Sequence, residues 1–189
     1  MRSFRKTQLR NNEMQGTKEL RTERLYLRKH KPEDAEILYH RFGTDPVMSR
    51  YSGWNPYASP EMAQNTVADF IRNYRKPEFY GWVIEYNGEL IGTIGAYDYD
   101  SETNQIETGI SIAREYWGQG FATEALRAVL KYLTEEEGIR TVTAWCASEN
   151  TGSMKAMIKA GMKQTHTKEK ALEVNGTFFD LNYYSYSGE

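Results

Sequence analysis

Residues 105–125, QIETGISIAREYWGQGFATEA, decide the fold of this chain. An apolar, alternating run predicts a strand over 105–112, and Gly118-Gln119-Gly120 then leads directly into an amphipathic helix. The first N–H groups of a helix have no partner inside it, and the helix dipole adds partial positive charge there. Small residues leave these groups unshielded, so the turn is suited to a phosphate or pyrophosphate without any lysine. The glycines alone fit equally well a tight turn that needs small residues only for packing.

Length and composition indicate one globular domain. The chain has 189 residues, 39% of them hydrophobic, and a formal net charge of −2. Its apolar runs are shorter than the roughly 20 residues of a membrane span, so no membrane association is expected. Residues 1–16 are basic and polar and lack the apolar core of a secretory signal. We interpret them as a disordered basic tail and residues 17–189 as the domain.

Charge, cysteine and histidine usage narrow the function classes. Beyond the tail, acidic residues outnumber basic ones, which argues against nucleic-acid binding and is compatible with a cationic substrate. Cys146 is the single cysteine, so no intrachain disulfide forms and a cytoplasmic location is expected. Its apolar surroundings predict a buried structural thiol rather than a nucleophile. The three histidines show no metal-ligand spacing, and no metal site is predicted.

Hydrophobic periodicity and turn residues predict an α/β (α+β) domain with a mixed sheet and helices on its faces. Asn87-Gly88 and Asn175-Gly176 predict two tight hairpins. There is no internal repeat and no linker that would divide the domain. The predicted strands are 24–29, 81–86, 90–99, 105–112, 141–147, 163–174 and 177–186, and the predicted helices start at Pro32, after Ser59, at Phe121 and near Gly152.

Two common nucleotide motifs fit poorly. A Walker A loop needs Gly-Lys-Ser/Thr, which is absent, and a dinucleotide fingerprint needs three glycines in the first β–α unit. Residues 117–122, WGQGFA, instead resemble the pyrophosphate-binding motif Q/R-x-x-G-x-G/A of the GNAT acyltransferase superfamily, with Trp117 at the usual Gln/Arg position. Residues 150–153 and 159–162 resemble the family's N-x-x-S…K-x-G-F/M segment. The segments 21–25, 116–118 and 123–125 are similar to the branch of ribosomal-protein-alanine N-acetyltransferases.

The resemblance implies a single GNAT domain, with a mixed, mostly antiparallel sheet of seven strands and four helices. It implies acetyl-CoA as co-substrate and direct attack by a primary amine, without a covalent enzyme intermediate. An N–H near Ile112 would polarise the thioester carbonyl. The residues that the resemblance assigns to the cofactor are Ser111, Ile112, Ala113, Trp117, Gly118, Gln119, Gly120, Phe121, Ala122, Thr123, Asn150 and Ser153.

Glu107 and Ser153 are the candidate catalytic residues. Glu107 would accept the amine proton directly or through water; the alternative is an exposed strand carboxylate. Many relatives place a tyrosine acid four residues after Ser153, but that position here is Met157, which raises Ser153 as the donor to the leaving sulfur. A capping role is the alternative for Ser153, and Asn150 could contact pantetheine, cap the following helix or do both.

The acceptor is less constrained. Tyr51, Trp54 and Tyr57 lie in an irregular connection and are candidates, with Glu107, for the acceptor wall. A protein N-terminus and a small amine (polyamine, amino sugar or amino acid) both remain open, and so does a non-catalytic acyl-CoA-binding module. Either a monomer or a homodimer is compatible with the sequence.

Overall fold

One sheet of eight strands organises residues 14–188, the part of the chain that the computed structural model describes. The strand order is β1-β2-β3-β4-β5-β6-β8-β7, and only β5 and β6 run parallel to each other. This confirms the predicted mixed, mostly antiparallel sheet; β1, only two residues long, is the strand that periodicity did not predict. The strands are β1 (Leu20–Arg21), β2 (Leu25–Arg28), β3 (Tyr80–Tyr86), β4 (Glu89–Asp100), β5 (Gln105–Ile112), β6 (Thr141–Ala147), β7 (Lys163–Val174) and β8 (Thr177–Tyr186).

Two Asn-Gly turns close the hairpins β3–β4 and β7–β8. Asn87 and Gly88 have φ values of 50° and 81°, and Asn175 and Gly176 have 50° and 78°. Positive φ at both central residues matches the right-handed twist of the flanking strands. Both hairpins were predicted, and both are present.

Four helices cover the sheet: α1 (Asp34–Leu38), α2 (Pro60–Asn73), α3 (Phe121–Lys131) and α4 (Thr151–Lys159). The first and third each continue as a five-residue π-helical turn, over Tyr39–Gly43 and Tyr132–Glu136. The first helix was predicted to start at Pro32 but starts two residues later, at Asp34. Before it, the Asp34 N–H donates to the Lys31 carbonyl and closes a turn.

Both faces of the sheet are buried at β3. Along β3, Trp82 and Ile84 point into the core beneath α3 and α4, whereas Val83 points into a second core beneath α1 and α2. Since successive strand residues face opposite sides, a nearly continuous apolar run is what such a two-sided strand requires. The sheet is therefore held in place by packing on both sides of its centre.

The first described residues, 14–16, contact the rest of the domain. Residues 1–13 lie outside the described part of the chain, but the Gln15 N–H donates to Glu137 at 2.8 Å and the Tyr132 hydroxyl donates to the Gly16 carbonyl at 2.5 Å. The prediction of a disordered tail ending at residue 16 is therefore wrong for residues 14–16. No helix within residues 14–188 is long and apolar enough to cross a bilayer.

Candidate active site

The site is organised by a gap between the two parallel strands. Gln105, Ile106 and Glu107 of β5 pair with residues 141–143 of β6, and the pairing then stops. Beyond this point β5 stays paired with β4, and β6 stays paired with β8. The two strands therefore diverge and leave a free strand edge on each side of the gap. Such edges can accept an extended ligand as an added strand.

At its end, β5 presents an N–H group to this gap. The Ala113 N–H donates to the Ile91 carbonyl of β4 at 2.8 Å. Because neighbouring residues in a strand direct their backbone groups to opposite sides, the N–H and C=O of Ile112 face the gap. The Trp117 indole donates to the Ile112 carbonyl at 2.6 Å, and the Ile112 N–H remains as the donor on that edge. The side chain of Trp117 thus ties the glycine turn to β5.

The start of α3 offers an unusual concentration of backbone donors. Gly118 and Gly120 have φ values of 75° and 82°, and Gly120 precedes the helix without a side-chain cap. The first helical hydrogen bond in this turn runs from the Glu124 N–H to the Gly120 carbonyl. Within residues 14–188, the six N–H groups of residues 118–123 donate to no other protein atom. These donors and the positive end of the α3 dipole fit a phosphate or pyrophosphate group.

Glu107 lies where the strands separate. Its Oε1 accepts a hydrogen bond from the Trp145 indole of β6 at 2.8 Å. Burial raises the pKa of the Glu107 carboxyl, and the charge of Asp98 acts in the same direction, while hydrogen bonds from Trp145 and Tyr97 oppose the shift. Asp98 reaches this position through a β-bulge in β4, at a φ of 56°. The result is a half-buried carboxyl with raised proton affinity.

The start of α4 closes the other side of the gap. The Asn150 side chain accepts the Ser153 N–H at 3.1 Å, so the capping role considered for Asn150 is present in the structure. The Ser153 hydroxyl lies beside the Cys146 thiol. Burial raises the pKa of that thiol to about 11, so it is protonated at neutral pH. Met157, at the position where a tyrosine acid was considered, is 3% exposed and belongs to the core.

Glu107 and Ser153 approach β6 from opposite faces. Glu107 contacts Trp145, whereas Ser153 contacts Cys146, the next residue. Side chains of consecutive strand residues point to opposite sides. The two candidate catalytic groups thus flank the strand that forms one wall of the gap. A reacting group within the gap would lie between them.

The three aromatic residues proposed for the acceptor wall separate into different environments. Trp54 is 68% exposed, and Tyr51 packs edge-on against Phe179 of β8. Tyr51 also belongs to the apolar cluster that contains Trp145. Tyr57 instead is 7% exposed and packs on Phe42 in the core beneath α1 and α2. Burial of its ring raises the pKa of Tyr57 to about 12.

Sequence reasoning missed two features of this site. The first is the hydrogen bond from Trp117 to Ile112, because the motif placed Trp117 at a cofactor-binding position and gave no partner for its indole. The second is the environment of Tyr184. Its hydroxyl is buried beside the Cys146 sulfur and makes no hydrogen bond of good geometry within the described chain. Neither contact has a local signal, since each depends on how separate elements pack.

Comparison with known proteins assigns this geometry to a family. Residues 24–163 match the family described as "Acetyltransferase (GNAT) domain". This chain belongs to the GNAT acetyltransferases. The predicted family and fold are thus confirmed, and the chain is a GNAT-type N-acetyltransferase.

Individual relatives align over most of their length. The chain is 32% identical to the uncharacterized N-acetyltransferase YoaA of Bacillus subtilis, over 88% of this chain and 94% of YoaA. It is 28% identical to the putative ribosomal N-acetyltransferase YdaF of the same organism, over 86% and 91%. Among solved structures, RimL, a ribosomal L7/L12 α-N-protein acetyltransferase in complex with coenzyme A, superposes with a TM-score of 0.81 at 17% identity, over 90% of this chain and 98% of RimL.

Proposed function

We propose that this GNAT enzyme transfers the acetyl group of acetyl-CoA directly to the N-terminal α-amine of a protein, such as a ribosomal protein. The observation that carries the proposal is the set of six N–H groups at residues 118–123, which have no protein partner within residues 14–188, beside the gap between β5 and β6. The similarity to YdaF supports a ribosomal acceptor, and the coenzyme A complex of RimL supports the co-substrate. A cytoplasmic location is part of this proposal.

Binding of the co-substrate would use backbone rather than side chains. The donors of residues 118–123 would hold the pyrophosphate, and Thr123 could add its hydroxyl. The open edge of β5 from Ser111 to Ala113 would hold the pantetheine arm as a neighbouring strand, with the Asn150 amide nitrogen as a further donor. The N–H of Ile112 is the proposed donor to the acyl oxygen. Acetyl-CoA itself supplies an acetyl group activated as a thioester.

Glu107 is the proposed base. A peptide α-amine has a pKa of about 7.7–8.0, so a large part of it is protonated at neutral pH and must lose a proton before attack. The half-buried carboxylate of Glu107, with Asp98 nearby, has the raised proton affinity that suits this step. The proton moves from the ammonium to a Glu107 oxygen, directly or through water. The free amine then attacks the thioester carbonyl.

Ser153 is the proposed donor to the departing sulfur. Its hydroxyl lies at the N-terminus of α4, where the helix dipole also favours a developing negative charge. Met157 has no proton to give, and the Cys146 thiol is held protonated by burial. Ser153, which is partly exposed at the start of α4 and lies beside Cys146 of β6, is therefore the hydroxyl that we assign to this role.

The acceptor side is acidic and aromatic. Glu107 and Asp98 lie on the face that carries Tyr97 and Trp145, and Tyr51 joins the apolar cluster around Trp145. A cationic amine is attracted by these carboxylates, and Trp54, three residues after Tyr51 in the same loop, offers an exposed ring. We propose Tyr51 and Trp54 as the residues that contact the acceptor, together with Glu107. Tyr57, by its burial, would support this loop from behind.

A screen of acceptors tests the proposal. Purified protein is incubated with acetyl-CoA and either peptides and ribosomal proteins with free N-termini or polyamines, amino sugars and amino acids. We expect coenzyme A release and a mass increase of one acetyl group on polypeptide α-amines. Turnover confined to a small amine would replace the acceptor in this proposal. Tight coenzyme A binding without turnover of any amine would instead indicate a non-catalytic module.

Glu107→Gln tests the base. The kcat/KM for the amine should fall about 100-fold, and the pH optimum should move upward because the reaction then depends on the amine's own ionisation. Glu169→Gln, which changes an exposed carboxylate on β7, is the matched control and should leave the profile unchanged. If Glu107→Gln also leaves the pH profile unchanged, Glu107 is not the base.

A further inference from the structure

Arg24 reaches the start of α3 from the turn between β1 and β2. Its Nη1 donates to the Gln119 carbonyl at 3.1 Å, and its Nε donates to the Glu124 carboxylate at 2.6 Å. The Arg24 N–H and the Thr22 hydroxyl donate to the second oxygen of that carboxylate, at 2.9 and 2.6 Å. The β1–β2 turn is thus fastened to the start of α3 by four hydrogen bonds, one to Gln119 and three to Glu124.

The hydrogen bond to Gln119 fixes the direction of a backbone donor. In a planar trans peptide, the carbonyl of one residue and the N–H of the next point in opposite directions. Because the Gln119 carbonyl points to Arg24, the Gly120 N–H points away from it, to the outside of the turn. The guanidinium also lies over the Phe121 ring at 4.4 Å, and its Nη2 is 3.5 Å from where a Cβ on Gly120 would be. Arg24 therefore contacts the turn on the side opposite to the Gly120 N–H and holds it in position.

The same arginine neutralises an acidic group beside the proposed pyrophosphate site. Glu124 is in the first turn of α3, and its side chain is 17% exposed. Partial burial alone would raise its pKa, but the hydrogen bonds from Thr22 and Arg24 hold the pKa of Glu124 below its usual value. The carboxylate is therefore negative at neutral pH and, without a partner, would repel a bound anion.

The turn itself carries no positive side chain. Residues 115–123 contain neither lysine nor arginine, and Arg114, just before them, pairs with Asp45. A cation for this position must come from elsewhere in the fold, and the contacts above identify it as Arg24. Because Arg24 and Glu124 form an ion pair, their charges cancel at the start of α3. The attraction of the backbone N–H groups for an anion is then not opposed by the charge of Glu124.

We propose that Arg24 is a positioning residue for coenzyme A: it orients the Gly120 N–H at the start of α3 and cancels the charge of Glu124. This inference rests on the proposed co-substrate. It predicts that Arg24 matters only for ligands that carry the pyrophosphate. A purely structural role would affect every substrate equally.

The test compares Arg24→Gln with Arg127→Gln. Arg127 lies on the same helix and donates to the Lys159 carbonyl at 2.6 Å, so its variant also breaks an arginine–carbonyl bond, but away from the glycine turn. Calorimetry with coenzyme A should show about a tenfold rise in Kd for Arg24→Gln and a change below about twofold for Arg127→Gln. The kcat/KM for acetyl-pantetheine, which lacks the pyrophosphate, should stay within about twofold of the wild type in both.

Two more variants separate the two parts of the role. Arg24→Lys keeps the charge but loses the planar fork, and it should recover only part of the affinity. In a Glu124→Gln background, Arg24→Gln should cost less than in the wild type, because the charge that it cancels is gone. An equal loss for coenzyme A and acetyl-pantetheine, or no loss for either, would overturn the proposal. If the wild type itself binds no coenzyme A, the proposed function fails instead.

Discussion

The starts of α2 and α3 differ in how they treat the backbone N–H groups that have no partner inside the helix. At α2, the Ser59 side chain accepts the Met62 N–H, Pro60 removes one donor, and the Ala63 N–H bonds the Ser59 carbonyl. At α3, Gly120 provides no side chain, and six successive N–H groups have no protein partner within the described chain. Every helix start has unpaired donors; a side-chain cap satisfies some of them, and its absence leaves them for water or a ligand.

The difference separates a structural helix start from a binding one. At α2, the Ser59 hydroxyl completes the helix from within its own sequence. At α3, glycines at φ values of 75° and 82° hold the donors open, and distant residues brace the turn rather than fill it. α4 lies between these cases, because the side-chain oxygen of Asn150 caps it, while the amide nitrogen of the same side chain donates to no protein atom within residues 14–188. A helix start whose N–H groups are left uncapped, and whose position is held by residues distant in the sequence, is therefore typical of a ligand site.

Closing the open start should have the largest effect. Gly120→Asp introduces a carboxylate that can accept the free N–H groups, and Asp tolerates positive φ better than most residues. It would also repel the phosphates. We expect coenzyme A binding, measured by calorimetry, to weaken about 100-fold, as if two charge-assisted hydrogen bonds were lost.

The matched variant is Ser59→Asp, which places the same side chain at the capped start of α2. Asp caps a helix about as well as Ser, so stability and coenzyme A affinity should both stay close to wild type. If the two Asp variants weakened binding to the same degree, the contrast between the helix starts would be lost.

A buried unpaired group offers a second contrast with the exposed donors of α3. His30 is 4% exposed, and its Nε2 has no hydrogen-bond partner in the described chain. Burial lowers its pKa to about 4, with Arg28 acting in the same direction and Asp34 against it. The unfolded chain therefore takes up a proton near pH 6.5, while folded His30 stays neutral until about pH 4. The contribution of neutral His30 to the free energy of unfolding is fully present well above pH 6.5, and it is lost as the pH falls toward 4.

The expected loss from His30 is about 2 kcal/mol between pH 7 and pH 5. Urea unfolding at both values measures it. In His30→Phe, the difference in unfolding free energy between the two pH values should shrink by about that amount. His166→Gln, at an exposed histidine of β7, should leave the difference as in the wild type. An identical pH dependence in the wild type and His30→Phe would show that His30 is not the titrating group.

Removing the cap of α2 should have the smallest effect. Ser59→Ala leaves the Met62 N–H without its partner and should lower the free energy of unfolding by about 1 kcal/mol. Coenzyme A affinity should not change, since this helix start has no role in the proposed site. Urea unfolding and calorimetry on the same preparation measure both quantities. A loss of affinity without a loss of stability would contradict the structural assignment of α2.

The parts of the fold that local chemistry specifies were predictable. The Asn-Gly turns required positive φ, and both hairpins are present. A helix was predicted to start after Ser59, and a capping role was one of those considered for Asn150; both side chains cap their helices. The glycine turn before α3 was recognised from its composition. In each case a few adjacent residues contain the whole signal.

The remaining parts depended on contacts between distant residues. Tyr57 was assigned to the acceptor wall by its place in an irregular loop, yet its ring packs on Phe42. The divergence of β5 from β6, which opens the gap, follows from different partners taken by each strand. No periodicity in either strand indicates where the pairing stops, since both remain regular strands on either side of that point.

The sequence by itself determined most of the secondary structure, the order of those elements and the position of an uncapped helix start, because these depend on backbone preferences and side chains within a few residues. Tertiary structure decided the rest. It brought Arg24 to Gln119 across 95 positions, and Trp145 to Glu107 across 38. Ion pairs and hydrogen bonds act over a few ångströms regardless of separation along the chain, so the charge balance and the proton affinity of the site exist only after folding.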